Sequence, residues 1–395
     1  MRILFTTLPV ETHLRPLVSV AHAARRRGHE VAVCSTPSFK DEVELYGLRH
    51  LPAGRDWITP MLAPLMGEEQ IPPEEIARLM NRLVTSGIPG GGALAMAKDV
   101  IGHAQDFGAD VIVREAYELG GCLAGESLSI PHASVGVVGR ITEFLDVRLM
   151  APALGEQRRA LGLRPDPAGE RIYAHLHAHL MPPHYDPAEL AIPALRCYRH
   201  HTVDRPGDRL PGFVAALPAD RPLVYASLGT VAPLFRAADR TLRTIVEALG
   251  QLDVAAVVAV GADKDPAAYG PAPAGVHLTD VVAQPLLLEC ADLLLTHGGF
   301  TSVREALRFG VPMVAVPWIA ENHIIVQRCV ELGLAVRLDW EALTPAAVAD
   351  ACRTVLEDPG YRARARSMQR SILALPSLDE FVADLEKLAV REQTR

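Results

Sequence analysis

An α/β fold of two successive doubly wound domains is predicted by three features of the sequence. Short apolar, β-leaning runs alternate with helically spaced apolar residues from the first residues onward. The same rhythm restarts at residue 222. Between the two halves, RHHTVDRPGDRLPGFVAALPADRP (199–222) has the proline, glycine and charge of a linker. A length of 395 residues also fits two domains of about 200 residues better than one.

The first half opens with RILFTTL (2–8), closed by Pro9. After a loop, Leu14, Leu17, Val18 and Ala21 recur at helical spacing, with Gly28 as a natural stop. EVAVCS (30–35) follows as a strand, completing one strand–loop–helix–strand unit of a parallel sheet. DVIVRE (110–115), preceded by Gly108, and HASVGVV (132–138) supply further strands. In the second half, PLVYASLGT (222–230) leads into a helix reaching about residue 250. VAAVVAVG (254–261), VHLTD (276–280) and ADLLLTH (291–297) are then strands. SLDEFVADLEKLAV (377–390) reads as an amphipathic helix capped by Ser377, with Glu380 completing the cap. Residues 54–92 break the rhythm. They mix Pro, Gly, Met and Trp, and read either as a surface excursion or as an adaptable wall for a bulky apolar ligand.

Composition removes several function classes. Apolar residues make up 49% and charged residues 22%, enough for two ordinary cores. A net charge of −8 without a long Lys/Arg stripe argues against a nucleic-acid partner. The densest basic run, ARRRGH (24–29), falls at a helix C-terminus, where positive charge complements the dipole. Cys34, Cys122, Cys197, Cys290, Cys329 and Cys352 form no Cys-x-x-Cys pair, which suits a reduced protein better than a disulfide framework or zinc site. The N-terminal run meets Glu11 too early for a signal peptide, and no 18-residue apolar run occurs. A cytoplasmic protein without a membrane span is expected.

The richest stretch is LLLTHGGFTSVREALRFGVPMVAVPW (293–318). An apolar strand runs through His297-Gly298-Gly299 into a helix ending near Gly310. Paired glycines let backbone approach a ligand closely, and a helix start offers free amides and about half a positive charge. His297 adds a donor at the strand's C-terminal edge, where open α/β sheets bind ligands. The set suits a diphosphate. Ser302 and Glu305 also fit a capping box that would only tidy the helix start, though that reading leaves the histidine and paired glycines unexplained.

His297-Gly298-Gly299-x-x-Ser302-x-x-Glu305-Ala306-Leu307-x-x-Gly310-Val311-Pro312, with Gln284 upstream, resembles the donor signature of family 1 glycosyltransferases of the GT-B fold. The resemblance is to bacterial enzymes that glycosylate natural products, and it extends over nearly the whole chain. It implies two Rossmann-like domains facing a central cleft. The acceptor-binding domain would span 1–205, a linker 206–221 and the nucleotide-sugar-binding domain 222–375, with a C-terminal helix (376–395) packing back toward the first domain. By resemblance, His297, Gly298, Gly299 and Ser302 hold the diphosphate, Glu305 the ribose, and Gln284 lies near the base. Ser227, Gly229 and Thr230 of SLGT match the family's loop over the donor. Glu321-Asn322 stands where the family usually has Asp-Gln to bind the sugar hydroxyls, a change that would suit a deoxygenated sugar.

The resemblance also makes His13 the general base, within His-x-x-Pro ending at Pro16, although Thr12 stands where glycine is usual. An unperturbed imidazole titrates near 6.5, close to working pH. His13 falls in the loop after the first strand, while His22 and His29 read as structural. Glu115 occupies the position of the family's orienting Asp, with Glu118 as its nearby substitute. The implied reaction is direct, inverting displacement of a nucleoside diphosphate by a hydroxyl of an apolar acceptor. The donor would be a co-substrate, with thymidine diphosphate deoxysugar the family's natural guess, and neither cofactor nor metal is required. Asp263-x-Asp265 reads as a solvated turn.

Three other functions fit parts of this pattern. A dinucleotide oxidoreductase is disfavoured because SVGVVGR (134–140) has only two separated glycines. A sugar-nucleotide epimerase would share the fold and phosphate site without needing an apolar acceptor pocket. A non-catalytic partner protein would have no reason to keep His13. Thymine against uracil in the donor, the acceptor and the oligomeric state, a homodimer included, stay open.

Overall fold

The structure, a computed structural model, describes residues 1–68, 71–137, 146–186, 192, 194–262, 264–319 and 321–393. Asp263, residues 138–140 of SVGVVGR and residues 69–70 of the irregular segment therefore lie outside the described residues. Two compact units form: Met1–Met61 with Ala77–Pro206 and Ala374–Arg395, and Leu62–Ile76 with Gly207–Leu373.

Among the described residues of the first unit, seven parallel strands form one sheet in the order β3-β2-β1-β4-β5-β6-β7. They are β1 (Arg2–Thr6), β2 (Glu30–Ser35), β3 (Arg49–Pro52), β4 (Val111–Glu115), β5 (His132–Val135), β6 (Leu176–His179) and β7 (Leu195–Cys197). Both faces are covered, so the central strands are apolar on both sides. Ile3, Phe5, Val33 and Val113 pack with Leu14 and Leu17 of the Glu11–Arg26 helix, and with Phe381 and Leu385 of the C-terminal helix. Leu4, Ala32 and Ile112 pack on the opposite face with Met96 and Val100. The C-terminal helix, Leu378–Gln393, starts as its sequence predicts. Ser377 Oγ accepts from Glu380 N at 3.3 Å, and Glu380 Oε2 accepts from Ser377 N at 2.7 Å. The basic run ending the first helix binds this element through Arg27 and His29, both to Glu386. His22 has its own structural bond, to Tyr46 O at 3.0 Å.

The start of the expected linker belongs to the first unit. Ser19 Oγ donates to His201 O at 2.9 Å, Arg15 to Val203 O at 3.3 Å, and Arg205 pairs with Glu11 at 2.8 Å. The irregular segment also acquires structure: Ile58–Met66, Pro73–Arg82 and Gly91–Phe107 are helices, with a π-helical turn at Leu83–Gly87.

Among the described residues of the second unit, six parallel strands run in the order β10-β9-β8-β11-β12-β13. They are β8 (Leu223–Ser227), β9 (Ala255–Ala259), β10 (Val276–Thr279), β11 (Leu293–Thr296), β12 (Met313–Ala315) and β13 (Ala335–Arg337). The strand order in each sheet reverses at its centre, between β1 and β4 and between β8 and β11. The carboxyl ends of such strand pairs form the crevice where doubly wound sheets bind ligands. No described helix is long and apolar enough to cross a membrane.

Candidate active site

In the first unit, two chain segments meet at the switch point. β1 and β4 pair in register from Ile3↔Val111 to Thr6↔Arg114, so the turns leaving their ends are neighbours. The Glu11–Arg26 helix starts earlier than the sequence suggests, which moves His13 from the expected loop into the first helical turn. His13 N and Leu14 N bond Val10 O at 3.0 and 3.1 Å, and acidic Glu11 complements the helix start. The turn points His13 at the last residue of β4. Its Nδ1 lies 3.2 Å from Glu115 Oε1; the imidazole is 15% exposed and the carboxylate 0%. Glu115 Oε2 accepts from Tyr117 N at 2.7 Å, and the Tyr117 ring packs edge-on against His13 with centroids 4.9 Å apart. A carboxylate at Nδ1 favours the tautomer with its proton there, leaving Nε2 as the basic nitrogen.

The choice between the two glutamates follows from these contacts. Glu118 accepts from Thr6 Oγ1, Gly120 N and, at 2.8 Å, Gly121 N. It is buried and bound to the start of the Gly120–Leu128 helix, and its carboxyl is raised by burial, against the opposing bonds from Thr6 and Gly121. Glu115 is the carboxylate at the imidazole. Arg114 holds the turn between them. Although 0% exposed, its guanidinium donates to Ala116 O at 3.0 Å and Ile172 O at 2.6 Å, and lies over the Tyr173 ring. The sequence reading had no role for Arg114 or Tyr117. The clue was Arg-Glu closing an otherwise apolar strand, since buried charges persist only where partners satisfy them.

In the second unit, Ser227, Thr296 and Ala315 lie in one register row across β8, β11 and β12. The loops carrying SLGT, His-Gly-Gly and Glu321-Asn322 therefore leave neighbouring strands. The glycines of the first two loops also serve the packing of the protein itself. A Cβ at Gly299 would stand 2.5 Å from His297 Nε2, and one at Gly229 would stand 2.4 Å from His297 Cε1. At Gly298 it would meet Val326 Cγ2 at 2.2 Å. The missing side chains thus make space for protein atoms: two glycines flank the imidazole, and the third admits Val326. Gly229 also has φ +75°, and its N–H donates to Ser227 Oγ at 3.1 Å. Burial pushes the His297 imidazole down to about 4, so it is neutral near pH 7 although part of the residue reaches solvent. Its Nδ1 is buried without a hydrogen-bond partner among the described residues.

The helix behind this loop is Phe300–Phe309, with Gly299 as its N-cap and no side-chain cap. The capping-box reading of Ser302 and Glu305 does not hold, because Ser302 already lies inside the helix and bonds elsewhere. Ser302 Oγ donates to Gln284 Oε1 at 3.4 Å, and Gln284 Nε2 donates to Glu305 Oε2 at 2.6 Å. Three predicted donor-site residues are thus joined. Thr230 is exposed. Glu321 and Asn322 separate. Glu321 is half-buried at the N-cap of the Asn322–Glu331 helix, whereas Asn322 is 4% exposed and turned inward. In the orientation that satisfies both ends of its amide, Asn322 accepts from Gly299 N at 3.0 Å and donates to Ile319 O. In this orientation Asn322 supports the glycine loop.

Asp265 caps a short turn, its Oδ1 accepting from Ala267 N at 2.9 Å. Among the described residues no group of three His, Cys, Asp or Glu side chains could hold a metal ion.

Residues 243–388 match the family described as erythromycin biosynthesis protein CIII-like, C-terminal domain. The chain is 26% identical to 4'-demethylrebeccamycin synthase of Lentzea aerocolonigenes, covering 98% of this chain and 99% of that one. It is 24% identical to erythronolide mycarosyltransferase of Saccharopolyspora erythraea, covering 99% of each. Among solved structures, the glycosyltransferase VinC in complex with dTDP superposes with a TM-score of 0.80 at 26% identity, covering 99% of this chain and 100% of that one.

Proposed function

We propose that this chain is a natural-product glycosyltransferase of the GT-B fold and that it carries out a specific reaction. It moves a deoxysugar from a thymidine diphosphate donor to a hydroxyl of a bulky apolar acceptor, inverting the anomeric carbon without a metal ion. The observation that carries this reading is the His13–Glu115 pair, 3.2 Å apart at the switch point of the first sheet. His13 Nε2 takes the acceptor proton as the acceptor oxygen forms its bond to the anomeric carbon. The bond from that carbon to the diphosphate breaks, and its electron pair leaves with the nucleotide. Glu115 stabilises the imidazolium, as a triad carboxylate does.

The leaving diphosphate is held by the first turn of the Phe300–Phe309 helix, Gly298, Ser302 and His297. A neutral imidazole supplies one N–H donor, and helix amides supply more, so charge develops against fixed dipoles. Ser227, Gly229 and Thr230 complete that loop layer. Gln284 and Glu305 exchange their mutual bond for base and ribose, and Glu321 takes a sugar hydroxyl. The dTDP bound to VinC supports thymidine diphosphate as the carrier. Thermal shift with TDP, UDP, GDP and NAD tests the site. TDP is expected to stabilise most, by about 2.7 kcal/mol at a hundredfold excess over Kd. No shift with any of the four overturns the proposal.

A further inference from the structure

The irregular segment supplies an indole that the catalytic reading does not use. Trp57 is half-buried and seated in a slot made by glycines. A Cβ on Gly92 would stand 2.3 Å from its Cδ1, and one on Gly87 would stand 2.8 Å from its Cζ3. The pyrrole edge thus rests on one glycine and the benzo edge on the other. Gly87 closes the π-helical turn Leu83–Gly87, and Gly90 is the N-cap of the following helix. Such π-turns recur at functional sites. Of the PGGG run that breaks the sequence rhythm, Gly92 is the residue that seats this ring.

The seat forms part of a cavity lined by Leu8, Pro9, Met96, Tyr117, Leu119 and Trp57 itself. Tyr117 is the ring that packs on His13, so the cavity adjoins the base. With the indole seated, the free volume is about 10 Å³, enough for about one water. A cavity of apolar and aromatic side chains, with Thr36, Arg55 and Glu118 also in its wall, lies beside the proposed base and is filled by one of the protein's own side chains. The Ile58–Met66 helix that follows Trp57 has no buried residue, and of its side chains Met61 shares the Gly87 face with the indole.

We infer that Trp57 is a removable plug that sets the size of acceptor admitted beside His13; this rests on the transferase reading above. A ring-bearing acceptor displaces the indole from the glycine slot and takes its place against Leu8, Met96 and Tyr117. The remainder holds only about one water, so a one-ring acceptor needs part of the indole's place and a larger ring system needs all of it; the plug thus discriminates by size and leaves donor binding untouched.

The test compares wild type with Trp57→Ala, Trp57→Leu and Gly92→Ala on three phenolic probes: a one-ring phenol, a two-ring hydroxycoumarin and a four-ring polyketide phenol. TDP binding is measured in parallel. In Trp57→Ala the kcat/KM ratio of the four-ring to the one-ring probe is expected to rise at least tenfold, with TDP affinity unchanged. Gly92→Ala unseats the indole and shifts the same ratio in wild type, but not in the Trp57→Ala background. If Trp57→Ala fails to fold, Trp57→Leu carries the comparison. An unchanged ratio, or an equal loss on all three probes, overturns the plug. Absence of transfer and of TDP binding in wild type overturns the transferase reading instead.

Discussion

Each unit puts a histidine at the switch point of its sheet, on opposite sides of that point, and gives it opposite chemistry. His13 follows the first strand of its sheet, and His297 follows the strand across the switch point of the other. One imidazole has a buried carboxylate 3.2 Å from Nδ1. The other stands between two glycines with no carboxylate paired to it among the described residues, and burial holds it down to about 4. Position at a sheet edge selects a ligand site; the neighbour of the ring decides what it does there. A carboxylate makes an imidazole a base, whereas a tight apolar slot keeps it a neutral donor.

The strongest way to break this comparison is to remove the base. His13→Ala is expected to lower turnover by about two to four orders of magnitude, the usual weight of general-base catalysis, while leaving TDP binding intact. Glu115→Gln should lose turnover in the same direction. Glu118→Gln should instead lower the melting temperature and leave the turnover of folded protein largely unchanged, because Glu118 ties Thr6 to the Gly120–Leu128 helix. Equal turnover losses from both glutamate variants would merge the roles separated here.

The contrast also explains what was legible in the sequence. Apart from the Ser227–Thr230 loop, the donor side lies within residues 284–322, and its strand, glycines and helix are readable from local periodicity. The dyad joins residues far apart in sequence, and Glu115 was placed only through the family resemblance. Periodicity does not report what packs across a loop. It therefore missed that Asn322 turns inward to Gly299, and that the glycines accommodate His297 and Val326. β6, Leu-His-Ala-His, was missed because its histidines resemble surface polarity, yet all four residues are buried. Ser134 Oγ and His177 Nδ1 lie 2.7 Å apart on adjacent strands, a partner visible only after folding.

A smaller effect sharpens the comparison from the donor side. Gly299→Ala or Gly229→Ala must displace the His297 ring, since the added Cβ would approach it to 2.5 or 2.4 Å. Gly229 carries a further backbone cost at φ +75°, about 1–3 kcal/mol for a non-glycine residue. TDP affinity is expected to fall about ten- to a hundredfold in either variant, as a displaced donor of about 1.5–3 kcal/mol would require. The acceptor KM should hold, and isothermal titration with TDP reads the difference. Unchanged TDP affinity in both variants would detach His297 from the donor.

An effect on stability, not on turnover or binding, follows from keeping imidazoles neutral, and it appears as a pH dependence. His132 and His177 in the first unit are held well below their ordinary value. Burial is the main cause for both; Arg114 and His175 add to it at His132, and His179 and Arg114 at His177. With His297, these groups remain neutral when folded, while the unfolded chain takes up protons near 6.5. The unfolded state then binds more protons, so stability is full above about 6.5 and falls as pH drops through it. Each group contributes a slope of up to about 1.4 kcal/mol per pH unit, continuing for His297 to about 4. Glu118 works in the opposite sense, because its raised folded value takes up a proton before the unfolded chain does. Urea unfolding between pH 7 and 5 should therefore show a loss that His177→Gln reduces and Glu118→Gln steepens. A slope indifferent to His177 would mean that this imidazole is already charged in the folded chain, and that burial alone does not set the protonation of the ring.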